Sequence, residues 1–244
     1  MKLGKKILCG IMTMSLAAVA LTGCGKEKDD KTFTVGFAYD KYNEISYAQD
    51  LSEKVGTKNY SKLITEEEYW SVLPEIQYYM DEPLADPAAI ALYFVSRLAS
   101  EHVKVVMSGE GADELFGGYR IYMEPITLTF YDKLPFKIRR IISKICEHLP
   151  QKHGINYLVR RGKTIEERFI GNANIFSLKE RNGILKSVTA KNAVSPQILC
   201  EKFYSEVADK DDVTKMQYLD INMWLMGDIL LKADKTSMAN SLEL

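Results

Sequence analysis

Phe33, Val35 and Phe37 alternate with Thr32, Thr34 and Gly36, the period-two pattern of a strand. Ile45, Ala48, Leu51 and Val55 then follow helical spacing, and Gly56 stands where a helix would end. Residues 58–64 predict a short strand. Thr65 and Glu68 form a capping-box pair that opens a helix toward Met80, with Pro74 expected to break or kink it. Asp86 and Pro87 start another helix, which Ile90, Leu92, Tyr93, Val95, Leu98 and Ala99 carry to about Glu101. The β-branched run 103–107 predicts a brief buried parallel strand. Alternating strands and helices predict an α/β fold built on a partial doubly wound parallel sheet.

After about Pro125 the pattern becomes helical, which predicts an all-helical C-terminal part. Lys133, Lys137, Arg139, Arg140 and Lys144 surround Leu134, Phe136, Ile138, Ile141, Ile142 and Ile145. Such a basic amphipathic helix suits RNA or anionic lipid, but a solvated helix face is the simpler reading. Ser195 and Pro196 begin a further helix, and residues 211–231 a longer one. In the latter, Met216, Leu219, Met223, Leu225, Met226 and Leu230 are expected to fill a core.

The 244 residues, 46% of them hydrophobic and 27% charged, exclude wholesale disorder. Basic and acidic side chains number 32 and 33, for a net charge of −1, so no nucleic-acid partner is expected. Cys9, Cys24, Cys146 and Cys200 lack the paired spacing of a zinc site or a disulfide scaffold.

The first residues differ from the rest. Lys2, Lys5 and Lys6 precede an apolar run over 7–21, too short to span a bilayer comfortably and suited to an export signal. The run ends in Leu21-Thr22-Gly23-Cys24, which resembles the lipobox of bacterial lipoproteins and implies lipidation of Cys24. The expected organisation is a lipoprotein-like signal at 1–24, a polar tether at 25–31, a partial α/β core at 32–124 and a helical part at 125–244.

Chemistry concentrates in residues 105–119, which read VVMSGEGADELFGGY. They lie where a strand should end and a helix begin, the usual ligand position in open α/β sheets. Gly109 and Gly111 permit close backbone approach, and Ser108 offers a hydroxyl. Glu110, Asp113 and Glu114 concentrate negative charge, so a phosphate here needs Mg²⁺ between it and the acids. An acidic surface turn would have the same composition.

The run SGEGADELFGGY resembles the signature of the synthetase domain of the asparagine synthase (glutamine-hydrolysing) family. FTVGFAYDKYNEISYAQDLSEKVGT, MDEPLADPAAIALYFVSRLAS and LLKADKTSMANSLEL resemble its flanking segments, so the likeness runs from about Thr32 to Leu244. It implies an adenine nucleotide alpha hydrolase-like core of the ATP-pyrophosphatase type. It also implies a carbon–nitrogen ligase that uses ATP and Mg²⁺ to adenylate the aspartate side chain. Ammonia, derived from glutamine, then displaces AMP. By this resemblance Ser108, Gly109 and Val35 contact the nucleotide, Glu110 is catalytic and Asp113 binds Mg²⁺ through pyrophosphate. Gly117 and Gly118 serve backbone geometry, while Lys232 and Asp234 suit a structural role as well as a site role.

The sequence also departs from that family. Lys2 stands where the family has a catalytic Cys, and neither a glutaminase domain, an SGGxDS loop nor the later region with a catalytic Lys is present. The expected activity is therefore that of a fragment. Loss of the strand carrying SGGxDS predicts unpaired sheet edges and an unstable chain, unless another segment fills the slot. The family's chemistry implies the cytoplasm, whereas the N-terminus implies a membrane-anchored lipoprotein. A non-catalytic lipoprotein is the alternative function, and a reading frame misjoined near residues 31–33 reconciles the two ends.

Overall fold

The structure is a computed structural model that describes residues 18–20, 30–38, 43–84, 86–127, 130–150, 152–172, 174–176 and 178–244. Most of the expected signal and tether, Cys24 included, lies outside the described residues. The fold is α/β and mostly helical, with one small sheet. The chain divides into two compact units, Met1–Ala112 with Gly227–Leu244, and Asp113–Met226.

In the first unit, β2 (Lys31–Phe37) and β3 (Lys58–Ile64) pair in parallel, from Lys31 opposite Lys58 to Phe37 opposite Ile64. α1 (Ile45–Val55) connects them, and Gly56 ends it in the left-handed conformation at φ 74°. β1 (Ala18–Ala20) runs antiparallel to β2, so a piece of the apolar run lies along the edge away from β3.

The periodicity of α1 predicts an inward face of Ile45, Ala48, Leu51 and Val55, and the structure corrects this. Leu51 and Val55 are 56% and 62% exposed, while Ser52 is buried. The Ser52 and Thr32 hydroxyls hydrogen-bond at 2.8 Å, and the Asn59 amide donates to Thr32 Oγ1 and Thr34 Oγ1. A hydroxyl buried at this packing face needs a partner, and this polar seam supplies it. The seam sets the rotation of α1.

α2 (Glu66–Tyr79) starts with the expected capping box: Thr65 Oγ1 accepts from Glu68 N, and Glu68 Oε2 accepts from Thr65 N. The break expected at Pro74 does not occur. Pro74 lies on the exposed side, one turn after exposed Trp70, so the carbonyl it frees faces water. Val72, Ile76 and Met80 pack with Ile90, Tyr93 and Phe94 of α3 (Ala88–Ser100) and with Ile64. A second cluster joins Phe33, Val95, Ala99, Val106 and Leu242. Removing an aromatic ring such as that of Phe33 from water contributes on the order of 2–3 kcal/mol.

The buried strand expected over 103–107 does not form. Val105 and Met107 are 60% and 54% exposed, and only Val106 is buried. The run makes a parallel bridge between Val105 and Glu243, in which Val106 N donates to Glu243 O and Glu243 N to Lys104 O. β-Branched composition did not suffice where a short C-terminal segment supplies the pairing.

The second unit has no strand among the described residues. It contains most of α4 (Ala112–Phe116), then α5 (Met123–Ile126), α6 (Phe136–Cys146), α7 (His153–Arg161), α8 (Ile165–Arg168), α9 (Leu178–Ile184), α10 (Ser187–Asn192), α11 (Pro196–Glu206) and α12 (Asp212–Asp220). Its core groups Tyr122, Ile165, Phe169, Cys200, Tyr204, Met216 and Leu219. The long helix expected over 211–231 is interrupted. Asp211 caps α12, a π-helical stretch follows over Ile221–Ile229, and α13 (Leu230–Met238) succeeds it in the first unit. Met216, Leu219 and Leu225 are buried as expected, whereas Met226 and Leu230 are 63% and 43% exposed.

Candidate functional site

The signature begins in the first unit as a turn. Ser108 Oγ accepts from Glu110 N at 3.2 Å, and Gly109 O accepts from Ala112 N at 3.2 Å. Gly109 is exposed, and a Cβ there would meet nothing within 4 Å, so the backbone is open to a ligand. Gly111 has φ 88°, a left-handed conformation that favours glycine. Ser108 and Glu110 are both half-buried, neither sealed in a core nor fully solvated.

Val35, the expected adenine neighbour, lies on β2 opposite Lys62 and packs against both hydrophobic clusters of this unit. The structure therefore brings Ser108, Gly109 and Glu110 into one turn and places Val35 on the sheet. Asp113 opens the second unit. The lipidation residue Cys24 lies outside the described residues.

Within the second unit the acidic residues of the signature serve different ends. Gly117 (φ 70°) terminates α4, and Gly118 N donates to Asp113 O at 2.8 Å, the six-to-one bond of a Schellman cap. A Cβ on Gly118 would lie 1.9 Å from Asp113 Oδ1, so the paired glycines let the Asp113 carboxylate fold over the turn. Glu114 is buried and accepts the Tyr119 O–H at 2.7 Å. Burial, with that bond next, pushes the Tyr119 hydroxyl well above the ordinary tyrosine range.

Sequence reasoning missed the supports beneath this turn. The Gln217 amide donates to Glu114 O at 2.8 Å and to Leu115 O at 3.3 Å. The Tyr122 hydroxyl donates to Asp220 Oδ2 at 2.6 Å, and Asn172 N donates to Asp220 Oδ1 at 3.0 Å. Burial lifts the Asp220 carboxyl to about 6. Gln217 and Asp220 stand about a hundred positions from the signature, and no local pattern announced them.

Among the described residues no group of three His, Cys, Asp or Glu side chains can hold a metal ion. The described residues therefore build no Mg²⁺ cage of their own. A cavity of about 440 Å³ in the second unit, lined by Glu166, Gln197, Ile198, Glu201, Tyr204 and Ala208, contains no signature residue.

The sequence model of the family described as asparagine synthase matches residues 11–244. The chain belongs to the asparagine synthase family. The match starts at residue 11, inside the apolar run over 7–21. The chain is similar to asparagine synthetase (glutamine-hydrolyzing) 1 of Bacillus subtilis (strain 168), at 44% identity over 215 residues covering 88% of this chain and 34% of that one. A putative asparagine synthetase (glutamine-hydrolyzing) of Mycobacterium bovis is 45% identical over 218 residues, 87% of this chain and 32% of its own. A putative asparagine synthetase (glutamine-hydrolyzing) 2 of Methanocaldococcus jannaschii is 29% identical over 182 residues, with 75% and 30% covered. This chain thus spans about a third of the length of these curated relatives. No solved structure matches it significantly.

Proposed function

We propose that the chain provides the ATP-handling, amide-forming part of an asparagine synthetase: a carbon–nitrogen ligase whose nitrogen comes from glutamine as ammonia. The observation that carries this reading is the turn at 108–112, with the exposed Gly109 backbone and left-handed Gly111, in a chain of this family. The aspartate side-chain carboxylate attacks the α-phosphorus of ATP, a P–O bond to pyrophosphate breaks, and β-aspartyl-AMP forms. Ammonia then attacks the acyl carbon, AMP leaves, and the nitrogen gives up a proton.

Ser108 and Gly109 are assigned to the nucleotide. The Ser108 oxygen already accepts a backbone bond, so its hydrogen remains to be donated. Val35 is assigned to the adenine. Glu110 is assigned as the group that positions the ammonia or relays its proton, a task for a half-buried carboxylate. Asp113 is assigned to Mg²⁺ carried by the nucleotide, which when bound screens the phosphate charge. A partial doubly wound core of the ATP-pyrophosphatase type, spanning 32–124, and the helical part at 125–244 belong to the same proposal. The cytoplasm is the compartment this chemistry needs. No helix among the described residues is long and apolar enough to cross a membrane.

Aspartate-dependent pyrophosphate release from Mg-ATP in the presence of ammonia tests the reading. Release that falls at least tenfold in Glu110→Gln supports it. No release from the wild-type chain, or equal release from the variant, rejects it.

A further inference from the structure

In the second unit three arginines converge on one carboxylate. Arg168 Nη2 donates to Glu124 Oε2 at 2.8 Å, Arg161 Nε lies 3.7 Å from Glu124 Oε1, and Arg160 Nη2 lies 4.0 Å from Glu124 Oε2. Arg161 also shares Asp132 with Arg139, at 3.6 and 3.1 Å. Four guanidinium groups therefore draw on two carboxylates, with Asp212 adding attraction for Arg168.

The excess charge is not at the surface. The Arg161 and Arg168 side chains are each 6% exposed. Other N–H groups of both are satisfied: Arg161 Nη2 by the Glu124 and Thr127 carbonyls, Arg168 Nη1 by those of Arg160 and Lys163. Yet among the described residues the buried atoms Arg160 Nη2, Arg161 Nε and Arg168 Nε have no hydrogen-bond acceptor. Leaving buried donors of charged groups unmet is costly, and several positive charges held together add to that cost.

We propose that Arg160, Arg161 and Arg168 bind a small dianionic oxyanion of the phosphate class beside Glu124. A phosphate supplies acceptor oxygens in the geometry that guanidinium forks match, and two negative charges offset the surplus. Arg160, 37% exposed, marks the way in from solvent. Glu167 and Glu166 are engaged by Arg140 and Lys215, so among the acids at hand Glu124 is the anion's main competitor. Burial, together with the charges of Arg160 and Arg161, holds Arg168 below the ordinary arginine range, which an added anion would reverse. The site is independent of the signature turn.

The test is thermal unfolding of the full chain titrated with inorganic phosphate, with chloride holding ionic strength constant. The melting temperature of the wild type should rise along a saturable curve. Arg160→Gln should move half-saturation at least tenfold higher without lowering the phosphate-free melting temperature, because it removes one unmet donor and one positive charge. Glu124→Gln, which removes the competing carboxylate, should move half-saturation lower. A wild-type response no larger than the chloride control overturns the proposal. So does an unaltered response in Arg160→Gln, or weaker binding in a folded Glu124→Gln.

Discussion

Asp86 holds two elements with one carboxylate: Oδ1 accepts the Ala88 N–H at 2.9 Å in the first turn of α3, and Oδ2 accepts from the buried ammonium of Lys232 on α13. Asp228 stands 3.8 Å from the same ammonium. Asp86 and Lys232 are 146 positions apart, so the pair fastens a late helix onto the sheet-bearing unit. Removing Asp86 leaves a charge with no exposure facing only the more distant acid. Removing Lys232 leaves Asp86, 27% exposed and able to hydrate, and Asp228, whose buried carboxyl is already pushed toward protonation. Asp86→Asn should therefore cost about 3–5 kcal/mol and Lys232→Met less, with the double variant well short of their sum. Urea midpoints of the three variants check the order.

Asp220 makes stability depend on pH. It is fully buried, receives bonds from Tyr122 and Asn172, and feels the negative charge of Glu114. Its folded-state value of about 6 lies above an unfolded carboxyl near ~3.9, so the folded chain holds this proton more tightly. The contribution is fully present below pH ~4 and is lost as pH rises through about 6, amounting to on the order of 3 kcal/mol. Asp220→Asn cannot ionise and should flatten the melting-temperature profile over that window. A variant with the wild-type slope would assign the dependence elsewhere.

The polar seam under α1 gives a third expectation. Ser52→Ala deletes one hydroxyl and leaves Thr32 Oγ1 with the Asn59 amide as a remaining partner. The cost should be about 1 kcal/mol. Ser52→Val adds volume beside buried Thr32 and should cost more, about 1–3 kcal/mol. If Val were stabilising, α1 would be held by apolar packing and the seam would be incidental.

Local chemistry was legible and rotation was not. The Thr65–Glu68 box, the left-handed Gly56 and the Pro196 helix start are decided by residues within a turn of each other, and each stands where the spacing predicts. The buried face of α1 was misread because periodicity weighs Leu51 and Val55 above Ser52, whereas the deciding bond comes from Thr32, 20 positions away. The run 103–107 was misread for a related reason: its bridge partner, Glu243, is near the other end of the chain. At the signature, the split between Asp113, turned over Gly118, and Glu114, sunk against Tyr119, could not be told from three neighbouring acids. Periodicity reports what a segment can bury, and long-range polar partners choose which way it turns.

Gly118 and Asp113 supply the last expectation. In Gly118→Ala the new methyl would meet Asp113 Oδ1 at 1.9 Å, its Cγ at 3.0 Å and its Cα at 3.2 Å. The carboxylate can rotate away, but the Cα can move only with the α4 backbone. Gly118→Ala should thus destabilise by about 1–3 kcal/mol through overpacking. With Asp113→Ala the side-chain clash disappears and only the backbone contact remains, so Gly118→Ala should cost less in that background. A coupling of about 1 kcal/mol in the double-mutant cycle would show that the glycine exists to seat this carboxylate. Additive costs would mean that Gly118 serves the Schellman cap alone, and Asp113 would lose its structural claim to a fixed place in the turn.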